Sequence, residues 1–179
     1  MLRLFVGLAL PDPIRDELAL LCSGLPGARW VDDNNFHITL RFIGEVDEHA
    51  AGEIDFELSK LRAGAFRLSL AGLGTFGQGH KTRALWVRVE PDPALDLLQG
   101  RVEAAVARAG IAREARKFTP HVTLARFNAR VPDRLQDYIA ANNLFRAGPF
   151  AVEEFVLFES RMGKGGSVYH ALQGYPLQS

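Results

Sequence analysis

Cysteine is nearly absent from this sequence. With Cys22 alone, no disulfide can close within the chain and no cysteine-based zinc site can be assembled; a reducing, cytoplasmic setting is the expectation. A surplus of either charge is also missing, since Lys plus Arg and Asp plus Glu each number 21. Proteins that coat long nucleic acids need many phosphate contacts and usually carry a basic surplus. The balance points away from that class while leaving room for a local cationic cleft. No apolar run approaches the roughly 20 residues that a membrane span requires. The apolar opening Met1 to Leu10 runs into Pro11-Asp12-Pro13 without a small-residue cleavage pattern, so it reads as a first strand rather than a signal peptide. No phosphate-cradling Walker loop occurs, and neither His, Cys nor carboxylates recur at metal-ligand spacing. No metal, no ATP and no other cofactor is therefore expected.

What is present suits one domain of 179 residues, read as two lobes of about 1–90 and 91–179 with strands free to exchange between them. Leu2 to Leu10 reads as a buried strand. Asp12 is placed as the cap of a helix bearing Ile14, Leu18, Leu21 and Cys22 at helical spacing. Phe36 to Ile43 alternates as a strand ending at Gly44. Asp47 caps a second helix with Ile54, Leu58 and Leu61 on its apolar stripe. Phe66, Leu68 and Leu70 form one strand and Leu85, Val87 and Val89 another, with the glycine-rich stretch 72–83 between them read as a mobile loop. Pro91-Asp92-Pro93 opens a third helix whose apolar positions include Leu97, Leu98, Val102, Ala105 and Val106, and Gly110 ends it. A strand from about Phe118 to Phe127 follows, then a helix from Pro132 carrying Leu135 and Ile139. Phe150 to Phe158 and Val168 to Leu172 read as the last strands, around Gly163-Lys164-Gly165-Gly166. Paired strands at the end of each half predict antiparallel neighbours and an α+β fold, bilobal around a central cleft.

Two copies of one tetrapeptide pattern carry the chemistry: His37-Ile38-Thr39-Leu40 and His121-Val122-Thr123-Leu124. Each lies in the matching strand of its half. Side chains at i and i+2 of a strand share a face, so each His and Thr point together to one side while Ile38, Leu40, Val122 and Leu124 point to the core. From the residue frequencies, such a duplicated pattern arises by chance on the order of once in ten thousand sequences. Histidine, with a reference pKa of about 6.5, serves as acid or base near neutrality. Two of them on opposite sides of phosphorus suit an in-line displacement, with threonine hydroxyls donating to the non-bridging oxygens. Symmetry alone does not say which histidine is the acid.

Paired His-x-Thr motifs, one per half, resemble the two-histidine (2H) phosphoesterase superfamily. More narrowly, RWVDDNNFHITLRFIGEV and KFTPHVTLARF resemble LigT-type RNA 2',3'-cyclic phosphodiesterases, also described as 2'-5' RNA ligases. The opening LFVGLALP, Trp30, Gly44-Glu45, Arg83-Ala84-Leu85-Trp86 and the final strand with Tyr169 extend the likeness over nearly the whole chain. The resemblance implies two antiparallel sheets around a V-shaped cleft and hydrolysis of an RNA-terminal 2',3'-cyclic phosphate to a 2'-phosphate, with 2'-5' ligation as its reverse. It implies His37 as the acid that protonates the departing O3', His121 as the base acting on water, and Thr39, Thr123 and Arg126 as phosphate ligands.

Strand parity objects to Arg126: five residues after His121, regular alternation faces it away from the cleft, unless a bulge or the strand end re-aims it. Arg41, four residues after His37, has the parity to face the cleft. Phe76, in the glycine-rich stretch, is read either as a stacking platform for a base or as packing under its own loop. Arg113, Arg116 and Lys117, just before the second motif, are read as a guide for an RNA backbone or as a solvated connection. His49, His80 and His170 lack a partner Thr and are assigned to structure or surface. The expected partner is an RNA 3' end or a cyclic nucleotide bound by a monomer. Two other readings stay open: a non-catalytic RNA-end binder, and a phosphoesterase acting on another cyclic or 2'-5' linked nucleotide.

Overall fold

A computed structural model of the chain describes residues 1–128 and 130–179. In order, its elements are β1 Leu2–Ala9, α1 Asp12–Ala19, β2 Arg29–Trp30, β3 His37–Val46, α2 Glu48–Ser59, β4 Phe66–Phe76, β5 Ala84–Val89, α3 Pro93–Arg108, β6 His121–Arg126, α4 Leu135–Asn142, β7 Arg146–Val152, β8 Glu154–Gly163 and β9 Gly166–Pro176. The strands form two sheets, ordered β3-β1-β8-β9 and β2-β6-β5-β4-β7. Every pairing within them is antiparallel. The expected α+β class with antiparallel sheets is borne out, and each sheet draws strands from both ends of the chain.

Local sequence explains the helix starts. Before α2 the Asp47 carboxylate accepts from the Ala50 amide at 2.7 Å, and before α3 the Asp92 carboxylate accepts from Ala94 and Leu95. Each satisfies amides that the first turn leaves without a helical partner. Gly110, at φ 97°, lies just beyond α3 in a left-handed conformation that glycine adopts without strain. The helices and sheets close over one large core. Ile38 and Leu40 of β3 and Val122 and Leu124 of β6 are buried there with Leu58 of α2 and Leu98 and Val102 of α3. Full burial of such a side chain stabilises by about 1.5–3 kcal/mol relative to exposure. Alternation therefore sets the direction of the opposite face: with Ile38 and Val122 inward, His37 and His121 must look out. Among the described residues no helix is long and apolar enough to cross a membrane.

Several local expectations are corrected. Pro11, not Asp12, occupies the cap position of α1; the Asp12 carboxylate pairs with Arg15 instead. The first motif strand does not stop at Gly44 but runs to Val46, because Leu2, Arg3 and Leu4 of β1 offer it partners to the end. The glycine-rich stretch lies outside the strands only over 77–83. Gly72 to Phe76 continues β4 against β5, and Gly74 lies where the Trp86 ring crosses the strand, so closely that a Cβ would come within 2.3 Å of it. Phe150 to Phe158 is two strands in different sheets, β7 and β8, with Glu153 between them. Leu97, placed on the apolar stripe of α3, is 53% exposed, and Leu95 is buried in its stead. The second motif strand starts only at His121, and the helix predicted from Pro132 starts at Leu135.

Candidate active site

The motif strands β3 and β6 share a distortion. Where β3 pairs with β1, Val6 faces Arg41 and Gly7 faces Thr39, so Leu40 is an extra residue. Where β6 pairs with β5, Leu85 faces Ala125 and Trp86 faces Thr123, so Leu124 is extra in the same way. A bulge of this kind shifts the face of every later side chain. The two residues Leu40-Arg41 and Leu124-Ala125 are consecutively buried, and the next positions, Phe42 and Arg126, return to the face that carries His and Thr. The parity objection to Arg126 is thus removed by the bulge. The reverse holds for Arg41. It is buried at 6% exposure, its Nε donates to Glu103 at 2.7 Å, and its Nη atoms donate to the Phe42 and Ala112 carbonyls. Arg41 faces the protein and ties β3 to α3 and to the connection that leads into β6.

His37, Thr39, His121, Thr123, Arg126 and Phe76 line one cavity of about 460 Å³. Both imidazoles are held alike. His37 Nδ1–H donates to the Asn35 carbonyl at 2.7 Å and His121 Nδ1–H to the Thr119 carbonyl at 2.6 Å. Because a carbonyl can only accept, each bond selects the tautomer with its proton on Nδ1 and leaves Nε2 an unprotonated acceptor. The Thr39 hydroxyl meets His37 Nε2 at 2.8 Å. Each ring also rests against aromatic neighbours. Phe5 lies 4.8 Å from His37, and Tyr169 approaches it edge-on at 5.1 Å and 88°. His121 has Trp86 at 5.6 Å, and Phe76 edge-on at 4.8 Å and 86°. The sequence left Phe76 between two readings; it stands at the end of β4 against the His121 ring and on the cavity wall.

Burial within these aromatic walls disfavours the charged imidazolium. His37 is pushed down to about 4, chiefly by burial, with the His121 and Arg126 charges adding to the effect and the Asn35 hydrogen bond opposing it. Burial also lowers His121, helped by Arg126 and opposed by the Thr119 hydrogen bond. Arg126, on the wall of the same cavity, is within electrostatic reach of both rings. The surroundings of both histidines thus favour the neutral imidazole.

Sequence reasoning passed over several cavity residues. Arg3, Phe5, Phe42, Arg83, Ser160 and Tyr169 also face it. Asn35 and Thr119 went unremarked as well, yet each stands two places before its histidine, a repeated spacing that signals a paired clamp. The cavity opens at either end into flanking spaces of about 530 and 470 Å³. The arrangement can hold an anion between two Nε2 atoms with Arg126 beside it, one nitrogen accepting a proton and the other giving one.

Comparison with known proteins agrees with this geometry. A model of the 2'-5' RNA ligase superfamily matches residues 12–164. The chain is 37% identical to an RNA 2',3'-cyclic phosphodiesterase of Aeropyrum pernix over 89% of this chain and 90% of that protein. It is 29% identical to one of Archaeoglobus fulgidus over 96% and 98%. Its fold is similar to the crystal structure of E. coli LigT in its apo form, with 27% identity, coverage of 99% and 98%, and a TM-score of 0.81. With paired bulged strands presenting His and Thr to one cavity, and likeness to these proteins from end to end, the chain belongs to the 2'-5' RNA ligase superfamily.

Proposed function

We propose that the chain hydrolyses the 2',3'-cyclic phosphate at an RNA end to a 2'-phosphate by acid–base catalysis between His37 and His121, without a metal ion. The observation that carries this reading is the matched pair of imidazoles, each with Nδ1 engaged by a backbone carbonyl and Nε2 turned to one cavity. The cyclic diester enters as an anion beside Arg126. Its charge favours the imidazolium, so substrate binding reverses the burial penalty on one ring and loads it with a proton. His121 Nε2 takes a proton from water as the water oxygen bonds to phosphorus. The P–O3' bond opposite breaks, and His37 Nε2–H delivers its proton to O3'. The net change adds one water and leaves a free 3'-hydroxyl and a 2'-phosphate. Thr39, Thr123 and Arg126 donate to the non-bridging oxygens, where a fixed donor stabilises the negative charge that builds up in the transition state. A 5'-hydroxyl taking the place of water in the same steps, with O3' again the leaving group, would form a 2'-5' linkage. The relatives' names and the chemistry of the site support the same substrate class.

The test is turnover of an oligonucleotide ending in a 2',3'-cyclic phosphate, in buffer containing EDTA. We expect release of the 2'-phosphate at an undiminished rate, and loss of about 10²–10⁴-fold in kcat on His37→Ala or His121→Ala, the usual worth of one positioned acid or base. Binding of the oligonucleotide without hydrolysis, or full activity in the double variant, defeats the reading.

A further inference from the structure

The central cavity is large enough for a single nucleoside cyclic phosphate, yet the cleft continues past it. One flank, of about 470 Å³, shares Thr39, Phe42, Phe76, Arg83 and His121 with the centre and extends to Lys117 and Phe118. Resting on the function proposed above, we propose that this flank is a subsite for the nucleotide on the 5' side of the cyclic-phosphate residue, with its base on Phe42 and its phosphate between Arg83 and Lys117.

Three observations converge on that ligand. Phe42 is 43% exposed; the Arg3 guanidinium lies over its ring at 5.7 Å from the centroid, and the apolar surface left open inside the cleft offers a base a matching flat face. It holds the same place after the bulge in β3 that Arg126 holds in β6. The duplicated scaffold has thus diverged into a cation on one side of the histidines and a ring on the other. Arg116 on this flank is engaged by Glu114, whereas Arg83 and Lys117 have no ion-pair carboxylate among the described residues. The carboxylates on this flank, Glu103 and Glu114, are each engaged by an arginine, Arg41 and Arg116, so rings and the two remaining cations along one continuous groove match the alternation of bases and phosphates in single-stranded RNA. The opposite flank offers Arg29, Trp30 and a group of asparagines, with Asp32 among them. It serves as the control.

The experiment compares kcat/KM for a mononucleoside 2',3'-cyclic phosphate with that for a dinucleotide carrying the same end. We expect the wild-type protein to prefer the dinucleotide by about tenfold, within the range for one base stacked on an aromatic ring. Phe42→Ala should bring that ratio close to one, and the surface change Lys117→Ala should lower it about threefold, the worth of one exposed phosphate contact; Arg29→Ala should leave the ratio as in the wild type. Turnover of both substrates with a wild-type ratio of one overturns the subsite alone. So does a ratio that survives Phe42→Ala and Lys117→Ala but disappears in Arg29→Ala. Absence of turnover on either substrate overturns the subsite together with the function it rests on.

Discussion

His37 carries two opposed demands. Its surroundings, the rings of Phe5 and Tyr169 and the nearby Arg126, favour its neutral form, while the acid proposed above needs a proton. Two measurements follow from this conflict. The first is stability against pH. The folded value of about 4 lies below the ordinary 6.5, so as pH falls the unfolded chain takes up the proton first. The contribution is complete above pH 6.5 and is lost progressively between there and pH 4, amounting to on the order of 3 kcal/mol. Urea titrations at pH 7 and pH 4.5 should show this loss in the wild type and a flatter dependence in His37→Gln; equal slopes would refute it. The second is kinetic. The limb of kcat/KM that reports the free acid should lie below pH 6.5, and the matching limb of kcat should lie higher, since the bound anion raises the value. Superimposable profiles would show that the substrate does not load the proton.

At the scale of elements, the bulges at Leu40 and Leu124 decide which neighbours enter the cleft. Arg41 is their clearest product: a strand residue of cleft parity turned inward, with Glu103 of α3 as its partner. Breaking a buried pair by removing one member leaves the other charge uncompensated and costs about 3–5 kcal/mol, whereas replacing both by apolar residues is often neutral. Arg41→Met should therefore lower stability by about 3 kcal/mol in chemical denaturation, and Arg41→Met with Glu103→Leu should recover most of it. A single variant as stable as the wild type would show the pair to be idle. The same bulges explain why parity counting placed Arg41 and Arg126 on the wrong faces. Alternation is a property of one strand, but a bulge depends on how that strand hydrogen-bonds to a second one far along the chain. The glycine-rich stretch misled for a related reason. Glycines usually signal a turn, and here Gly74 instead makes room for Trp86 from the paired strand.

Across the whole molecule, neutrality of net charge coexists with a cleft that gathers Arg3, Arg83 and Arg126 beside the histidines. Composition sums over the surface, and only the fold says where the positive side chains converge. The sequence alone singled out the candidate reacting groups, because the duplicated His-x-Thr pattern needs no partner to be recognised and its alternation dictates that His and Thr share the exposed face of each strand. It also determined the α+β class, since paired strands and capped amphipathic helices are written locally. Tertiary structure alone decided that β7 and β8 part into different sheets and that Phe42 and Arg126 line the central cavity while Arg41 is held in a buried ion pair with Glu103. It likewise decided that the Asn35 and Thr119 carbonyls choose the tautomer of each histidine. The sheets and the faces share one physical reason: each depends on hydrogen-bond register between segments distant in the chain, which no local periodicity records; each clamp spans only two residues, and there it is the backbone conformation before the strand that periodicity leaves unsaid.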